Sequence, residues 1–212
     1  MSLPTKSLKS MLAGVAVLLL AACGRGDAVS SADVPPYVAV LDRSDQPLRD
    51  DFNRDRGAVR LMFLVDPICP GCLRGLSDMG NDVIATLPRD ARVKIYVVHE
   101  PVIGGKAKDI PAAAELLHTT LARHYWNPTG DFGNEMSHAL GYWNGWRWVY
   151  AWDTWIIYAP DAVWTGKTPP QPAFLMHQLG GLEGMKQFPH LDSKVFAAKV
   201  DAMLASQRAA TR

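Results

Sequence analysis

The sequence predicts one α/β domain, because buried strands and amphipathic helices alternate along it. Residues 58–65 (AVRLMFLV) and 93–99 (VKIYVVH) are nearly continuous apolar runs without Gly or Pro. Such runs are typical of strands that are buried on both faces of a sheet. After the first run, and again in residues 193–207, apolar residues recur at helical spacing. The length of 212 residues fits a single domain with room for an insertion.

Composition and charge exclude several classes of protein. The chain has 22 Lys and Arg against 21 Asp and Glu, with a formal net charge of +1. We therefore expect no nucleic-acid partner, because nucleic-acid-binding domains carry a basic excess. An apolar fraction of 48% beside 20% charged residues also excludes a disordered chain.

Residues 1–22 have the pattern of a bacterial export signal. Lys6 and Lys9 precede a short apolar segment that ends in small residues. That segment is shorter than the about 20 apolar residues that cross a bilayer. The following Leu20-Ala21-Ala22-Cys23 resembles a lipobox, which implies diacylglycerol on the Cys23 sulfur and an acyl group on its amine after cleavage. Such lipid chains would anchor the protein firmly.

The lipobox predicts a bacterial membrane lipoprotein whose domain faces the periplasm, an oxidising compartment in which disulfides form. Gly24 follows the lipidated cysteine where Asp would favour the inner membrane, so we favour the outer membrane. Residues 23–36 predict a flexible tether, and residues 37–209 the folded domain. With Cys23 lipidated, only Cys69 and Cys72 remain for redox or metal chemistry.

The elements of the domain follow in order. Residues 37–41 predict a short strand, followed by a polar turn over 42–47. After the strand at 58–65, a helical stripe is formed by Leu73, Leu76, Met79, Val83, Ile84 and Leu87.

The second half is predicted to begin with a helical stretch over residues 106–166. Within it, Trp148, Trp152 and Trp155 fall on one helical face. Residues 173–177 predict a strand, paired after a Gly180-Gly181 turn with another that ends near Phe188. A helix over 193–207 completes the domain.

Cys69-Pro70-Gly71-Cys72, directly after a buried strand and at the start of a helix, is the motif that carries chemistry. Two intervening residues allow the sulfurs to reach bonding distance. Unpaired N–H groups at the helix start favour a thiolate, which is the reactive form. We expect Cys69 to be the exposed nucleophile that forms a mixed disulfide and Cys72 the resolving thiol.

On these residues the chain resembles thioredoxin-fold proteins, in particular periplasmic disulfide-bond proteins of the Dsb kind. Residues 63–72 are similar to their active-site strand and turn, and Gln171-Pro172-Ala173-Phe174-Leu175 to the segment that holds a cis-proline. The resemblance implies a thioredoxin-like fold with a helical, Trp-rich insertion at about residues 105–165. It also implies that Pro172, with Gln171 beside it, positions the substrate.

The activity implied by the resemblance is thiol:disulfide exchange with cysteines or disulfides of exported proteins. The dithiol is itself the redox couple, so no dissociable cofactor is expected, and an unidentified partner must recycle it. The direction of electron flow stays open, since Pro70-Gly71 matches neither familiar dipeptide of this family. Phe63 also replaces the buried Asp of thioredoxin. Asp66 is interpreted as a turn residue, with an influence on Cys69 as the alternative.

Other interpretations stay open. Cys69 and Cys72 could form a permanent disulfide, or bind copper in a metal-delivery lipoprotein without redox turnover. The histidines available for copper are His99, His118, His124 and His177. Zinc is not expected, because two further ligands at suitable spacing are missing. For the seven tryptophans we favour core packing over polypeptide binding or membrane contact.

Overall fold

A computed structural model describes residues 33–41, 43–180 and 185–210 of the chain. The predicted export signal, Cys23 and most of the tether lie outside these residues, and so does Gly181. The strands are β1 Val38–Val40, β2 Val59–Val65, β3 Val93–His99, β4 Ala122–Trp126, β5 Thr154–Tyr158 and β6 Phe174–His177. The α-helices are α1 Gln46–Arg54, α2 Pro70–Asp78, α3 Ile110–Glu115, α4 Asp131–Leu140 and α5 Ser193–Ala210.

All six strands belong to one mixed sheet with the order β1-β4-β3-β2-β5-β6. The first four in this order are mutually parallel, whereas β5 is antiparallel to β2 and β6 is antiparallel to β5. A parallel β2-α2-β3 unit extended by an antiparallel pair, with the CXXC motif directly after β2, is the thioredoxin-like arrangement. The predicted α/β fold class is confirmed, but the predicted helical insertion is not.

Strand β2 lies at the centre of the domain, and all seven of its residues are buried. Because side chains alternate along a strand, Met62 and Leu64 face one side of the sheet, and Leu61 and Phe63 face the other. Helices α1 and α4 cover the first side, and α2 and α5 cover the second. Burial on both faces explains the nearly continuous apolar sequence of β2 and β3.

The prediction of a helical stretch over residues 106–166 is wrong in two places. Strands β4 and β5 interrupt it, and only α3 and α4 are α-helical within it. Strand β4 (ARHYW) has the polar residues Arg123 and His124 side by side, so it lacks a clear strand pattern. The helical spacing of Trp148, Trp152 and Trp155 was coincidental, since only Trp155 lies in a regular element, β5, where it is fully buried.

Three further elements differ from prediction. Helix α1 replaces part of the predicted turn. The sequence pattern missed this helix because it is short and buries only two residues, Leu48 and Phe52. The helix after Cys72 changes at Met79–Val83 into a π turn. Strand β6 pairs with β5, whereas the segment before Phe188 forms no strand within residues 185–190.

The first strand, β3 and the last helix agree with prediction, with α5 extending to Ala210. No helix in the part of the chain that the structure describes is both long and apolar enough to cross a membrane.

Candidate redox site

The two cysteines lie where β2 passes into α2, at one end of the sheet. Cys69 is the N-cap of α2, and Pro70 is its first helical residue, a position where the missing N–H costs nothing. The backbone N–H of Cys72 donates to the Cys69 Sγ at 3.4 Å. The helix start therefore directs an N–H group at the first sulfur, as an anion-stabilising site requires.

Asp66 holds the turn between β2 and the cysteines. Its Oδ1 accepts the N–H of Ile68 at 3.0 Å, and its Oδ2 accepts the N–H of Ile103 at 2.8 Å. Oδ2 also accepts the N–H of Gly105 at 3.3 Å, where an added Cβ would lie 2.3 Å from Oδ1. The buried carboxylate thus ties the loop after β3 to the cysteine turn.

Both cysteines are free thiols in the structure, and both are buried. Cys69, expected to be exposed, is only 6% exposed, and Cys72 is 0% exposed. Burial, and next the negative charge of Asp153, raise the pKa of the Cys72 thiol far above its ordinary value. Cys72 is therefore a neutral thiol at physiological pH, and it must lose its proton before it can act as a nucleophile.

Asp153 is the third group of the site, and the sequence analysis missed it. One carboxylate oxygen of Asp153 and the two sulfurs all lie within 4.8 Å of one another. The residue has a left-handed backbone with φ of 46°, which Asp tolerates better than most residues. Its Oδ1 accepts hydrogen bonds from Gln178 Nε2 at 2.9 Å and Trp155 Nε1 at 3.3 Å.

Strand pairing explains why Asp153 reaches the cysteines. Leu64 near the end of β2 pairs with Thr154 at the start of β5, so the residue before β5 lies beside the turn after β2. Gln178, just beyond β6, also donates to the Gly71 carbonyl at 3.1 Å. A correct strand assignment for TWIIY (residues 154–158) would have been the signal that identified Asp153.

The structure does not place Pro172 and Gln171 beside the cysteines, where the predicted role in positioning the substrate requires them. No cis peptide bond occurs in residues 33–41, 43–180 or 185–210. Pro172 precedes Phe174, which pairs with Ile157 near the far end of β5, so it lies at the edge of the sheet opposite the cysteines. Gln171 Nε2 donates to the carbonyl of Ala139 at 2.7 Å, a contact with α4.

The histidines considered for copper do not join the two thiols. The three-donor group formed by Cys69, Cys72 and Asp153 contains no histidine, as far as the described residues extend. His99 Nε2 lies 3.1 Å from His124 Nδ1, and burial lowers the pKa of His124 to about 4. His177 Nδ1 accepts the N–H of Leu179 at 2.9 Å.

His118, the fourth of these histidines, lies in the loop between α3 and β4, where it lines a surface pocket with His124. In place of a histidine, the thiols have a carboxylate, which is a hard ligand and suits soft copper(I) poorly.

Six of the seven tryptophans divide into a buried and an exposed set, and Trp152 is half-buried. Trp126, Trp155 and Trp164 are buried, as the core interpretation predicts. The exposed set is Trp143, Trp146 and Trp148, in a tight turn that we call the Trp hairpin (residues 143–148). Just before this hairpin, the Tyr142 hydroxyl lies 3.3 Å from Thr154 Oγ1 at the start of β5.

No protein-family model matches the chain, and no curated protein is significantly similar to it. Among solved structures, a candidate protein disulfide isomerase from Bacteroides thetaiotaomicron matches with a TM-score of 0.47 and 9% identity. The match covers 73% of this chain and 78% of that one. A secreted disulfide oxidoreductase of Mycobacterium tuberculosis, homologous to E. coli DsbE, matches with a TM-score of 0.44 and 9% identity. Its coverage is 70% of this chain and 84% of that one.

A thiol:disulfide interchange protein of the thioredoxin family from Chlorobium tepidum matches with a TM-score of 0.42 and 12% identity, covering 71% of this chain and 83% of that one.

Proposed function

We propose that the chain is a thiol:disulfide oxidoreductase whose redox couple is Cys69 and Cys72. The observation that carries this proposal is a pair of free thiols at the start of α2, with the first sulfur accepting an N–H of the helix. A hydrogen bond to sulfur and the helix N-terminus both stabilise negative charge there. The second sulfur lies within 4.8 Å of the first, so a small rotation brings them to bonding distance.

The reaction follows from this geometry. The Cys69 thiolate attacks one sulfur of a substrate disulfide, forms a mixed disulfide and expels the other sulfur as a thiolate. Cys72 then attacks Cys69, forms the intramolecular disulfide and releases the second substrate thiol. Run in reverse, the same steps transfer a disulfide to a substrate dithiol, and the reduction potential decides the direction.

Polypeptides are the substrate class that fits the surroundings of Cys69. Ile68, next to the nucleophile, is 41% exposed, and Pro70 on its other side is exposed as well. Apolar surface beside the attacking sulfur suits extended polypeptide, because its burial stabilises the complex. We propose exported proteins as substrates, a lipid anchor on Cys23, a periplasmic location with the outer membrane favoured, and a separate recycling partner.

Replacement of each cysteine by serine in the exported full chain tests the proposal. We expect Cys69→Ser to abolish exchange with a fluorescent peptide disulfide, and Cys72→Ser to accumulate the mixed disulfide with Cys69, detected by mass spectrometry. Cys23→Ser is the matched control, which should lose the lipid mass and keep the exchange rate. Undiminished exchange by Cys69→Ser would overturn the assignment.

Copper delivery, the alternative predicted from the sequence, is not favoured by the site. It would use two thiolates and a histidine, but the group beside the thiols is Asp153, and Cys72 is a buried neutral thiol. Titration with copper(I) under a competing chelator measures this directly. Tight binding that requires both thiols would restore the alternative.

A further inference from the structure

We propose that Asp153 accepts the proton of Cys72 when Cys72 resolves the mixed disulfide. This inference rests on the proposed function and adds a third catalytic residue to it. The starting observation is that Asp153 supplies the only carboxylate grouped with both sulfurs in the described part of the chain.

A proton acceptor is needed because the thiolate, not the thiol, is the nucleophile. Cys72 is completely buried, so water does not reach its sulfur, and burial keeps the thiol protonated. Position 63 on β2 is Phe, which cannot take a proton. The acceptor must therefore come from another element that ends beside the cysteines.

Asp66 and Glu100 are also buried near this end of the sheet, and among the described residues Glu100 Oε2 has no hydrogen-bond partner. Both oxygens of Asp66 accept backbone N–H groups, as described above. Glu100 Oε1 accepts the N–H of Gly133 at 2.8 Å and the hydroxyl of Tyr150 at 3.0 Å. These contacts hold both side chains in the loops beyond the sheet, and neither belongs to the group with the two sulfurs.

The carboxylate of Asp153 is oriented for this role. Gln178 and Trp155 both donate to Oδ1, which fixes the side chain. Oδ2 faces Gly71, where an added Cβ would lie 2.8 Å from Oδ2 and 3.7 Å from the Cys69 Sγ. Oδ2 thus lies on the Gly71 side of the carboxylate and accepts neither of the two hydrogen bonds that fix Oδ1. Catalytic hydrogen bonds are often long before substrate binds and shorten in the reacting complex.

The charged and titratable groups that face Asp153 are Arg74 on α2, His177 at the end of β6 and His190 in the segment after β6. Burial raises the pKa of Asp153, while Arg74 on α2 and His190 after β6 act in the opposite direction. The two thiols and the hydrogen-bond donors Gln178 and Trp155 complete its surroundings. Deprotonation of Cys72 beside an already ionised carboxylate is unfavourable, so transfer of the proton to that carboxylate avoids placing two negative charges together.

The step is balanced as follows. The Cys72 S–H proton moves to Asp153 Oδ2 as the Cys72 sulfur attacks the Cys69 sulfur of the mixed disulfide. The Cys69–Cys72 bond forms, the bond from Cys69 to the substrate sulfur breaks, and the substrate leaves as a thiolate. Cys72 is oxidised and the substrate sulfur is reduced by the same electron pair. Asp153 later returns its proton to water or to the departing thiolate.

The test is the rate of resolution in a single turnover. The Cys69 thiol of the reduced full chain reacts with excess dithionitrobenzoate, and release of the second thionitrobenzoate by Cys72 is followed by absorbance from pH 5 to 10. If Asp153 accepts the proton, the rate of this second release in wild type should be nearly independent of pH above the pKa of Asp153. Without an acceptor, the rate would follow the thiolate fraction and rise about tenfold per pH unit.

Asp153→Asn is the variant that removes the acceptor and suits the left-handed backbone. We expect resolution at pH 7 to slow about 100-fold, within the range of general-base contributions, with the difference shrinking towards pH 10. Asp78→Asn on the exposed side of α2 is the matched control and should keep the wild-type profile.

The outcomes are distinguishable. A loss in Asp153→Asn that is the same at every pH would make Asp153 a positioning residue and overturn the proposal, as would no loss. If Asp153→Asn does not fold, a wild-type rate that rises tenfold per pH unit overturns it equally. If wild type fails even to release the first thionitrobenzoate, the proposed function itself fails.

Discussion

Replacing Trp155 by Ala tests whether the tryptophan core is correctly placed, with Trp146 as its matched control. Trp155 is 0% exposed and packs on Phe63 with ring centroids 5.0 Å apart, whereas Trp146 is 71% exposed. Truncation of a buried Trp leaves a cavity and costs about 3 to 5 kcal/mol in the free energy of unfolding. In a domain of this size, each kcal/mol lowers Tm by about 2 to 4 °C. Trp155→Ala should therefore lower Tm by about 6 to 20 °C.

Trp146→Ala loses much less, because its ring contacts mainly solvent and the Arg147 guanidinium, 4.6 Å from its centroid. An exposed cation–π contact contributes about 0.5 to 1 kcal/mol. Both variants are unfolded in urea with excess reductant, so that the cysteines stay thiols, and followed by far-ultraviolet circular dichroism. Equal losses, or a loss below about 1 kcal/mol for Trp155→Ala, would refute the placement of Trp155 between β2 and α2.

The remaining predictions concern a close helix contact and a buried acid. Gly75→Ala should destabilise by about 1 to 3 kcal/mol in urea unfolding, because its Cβ would lie 2.2 Å from the Trp155 ring. Gly180→Ala, whose Cβ would meet nothing within 4 Å, should change stability by less than about 0.5 kcal/mol, and equal effects would refute the contact. Burial raises the pKa of Glu100 from 4.5 to about 8, so the unfolded chain loses this proton first as pH rises. The free energy of unfolding of wild type should therefore fall as pH rises from 4.5 to about 8, by up to about 1.4 kcal/mol per pH unit relative to Glu100→Gln. A difference in urea midpoints between the two proteins that stays constant from pH 5 to 8 would contradict this.

The site depends on three separate segments that meet at one end of the sheet, where β2 ends. The cysteine turn comes from the end of β2, Asp153 from the start of β5 and Gln178 from the end of β6. Gln178 connects all three, since its side chain donates both to the Gly71 carbonyl and to Asp153. The antiparallel direction of β5 therefore completes the site, because it places the start of β5, and with it Asp153, beside the end of β2.

Local sequence was enough to predict the elements whose signals are strong and contiguous. Strands β2 and β3 are buried on both faces, so their apolar runs identify them without knowledge of their neighbours. The CPGC motif at the start of a helix likewise predicts its own geometry, since the cap, the proline and both sulfurs lie within four residues. The α/β class and the two candidate redox cysteines follow from these features, whereas the thioredoxin-like fold was implied by the resemblance.

Tertiary structure decided what depends on partners distant in sequence. The TWIIY segment became a strand because β2 and β6 supply its hydrogen bonds, although its tryptophan also fitted a helical stripe. Pro172 precedes the strand at the sheet edge, β6, and not the one beside β2, so motif similarity placed it at the wrong end. Asp153 has no local signal at all, because its proximity to the cysteines comes from pairing across about 80 residues of chain. The sequence by itself determined the two thiols, and only the packed sheet determined which acid lies beside them.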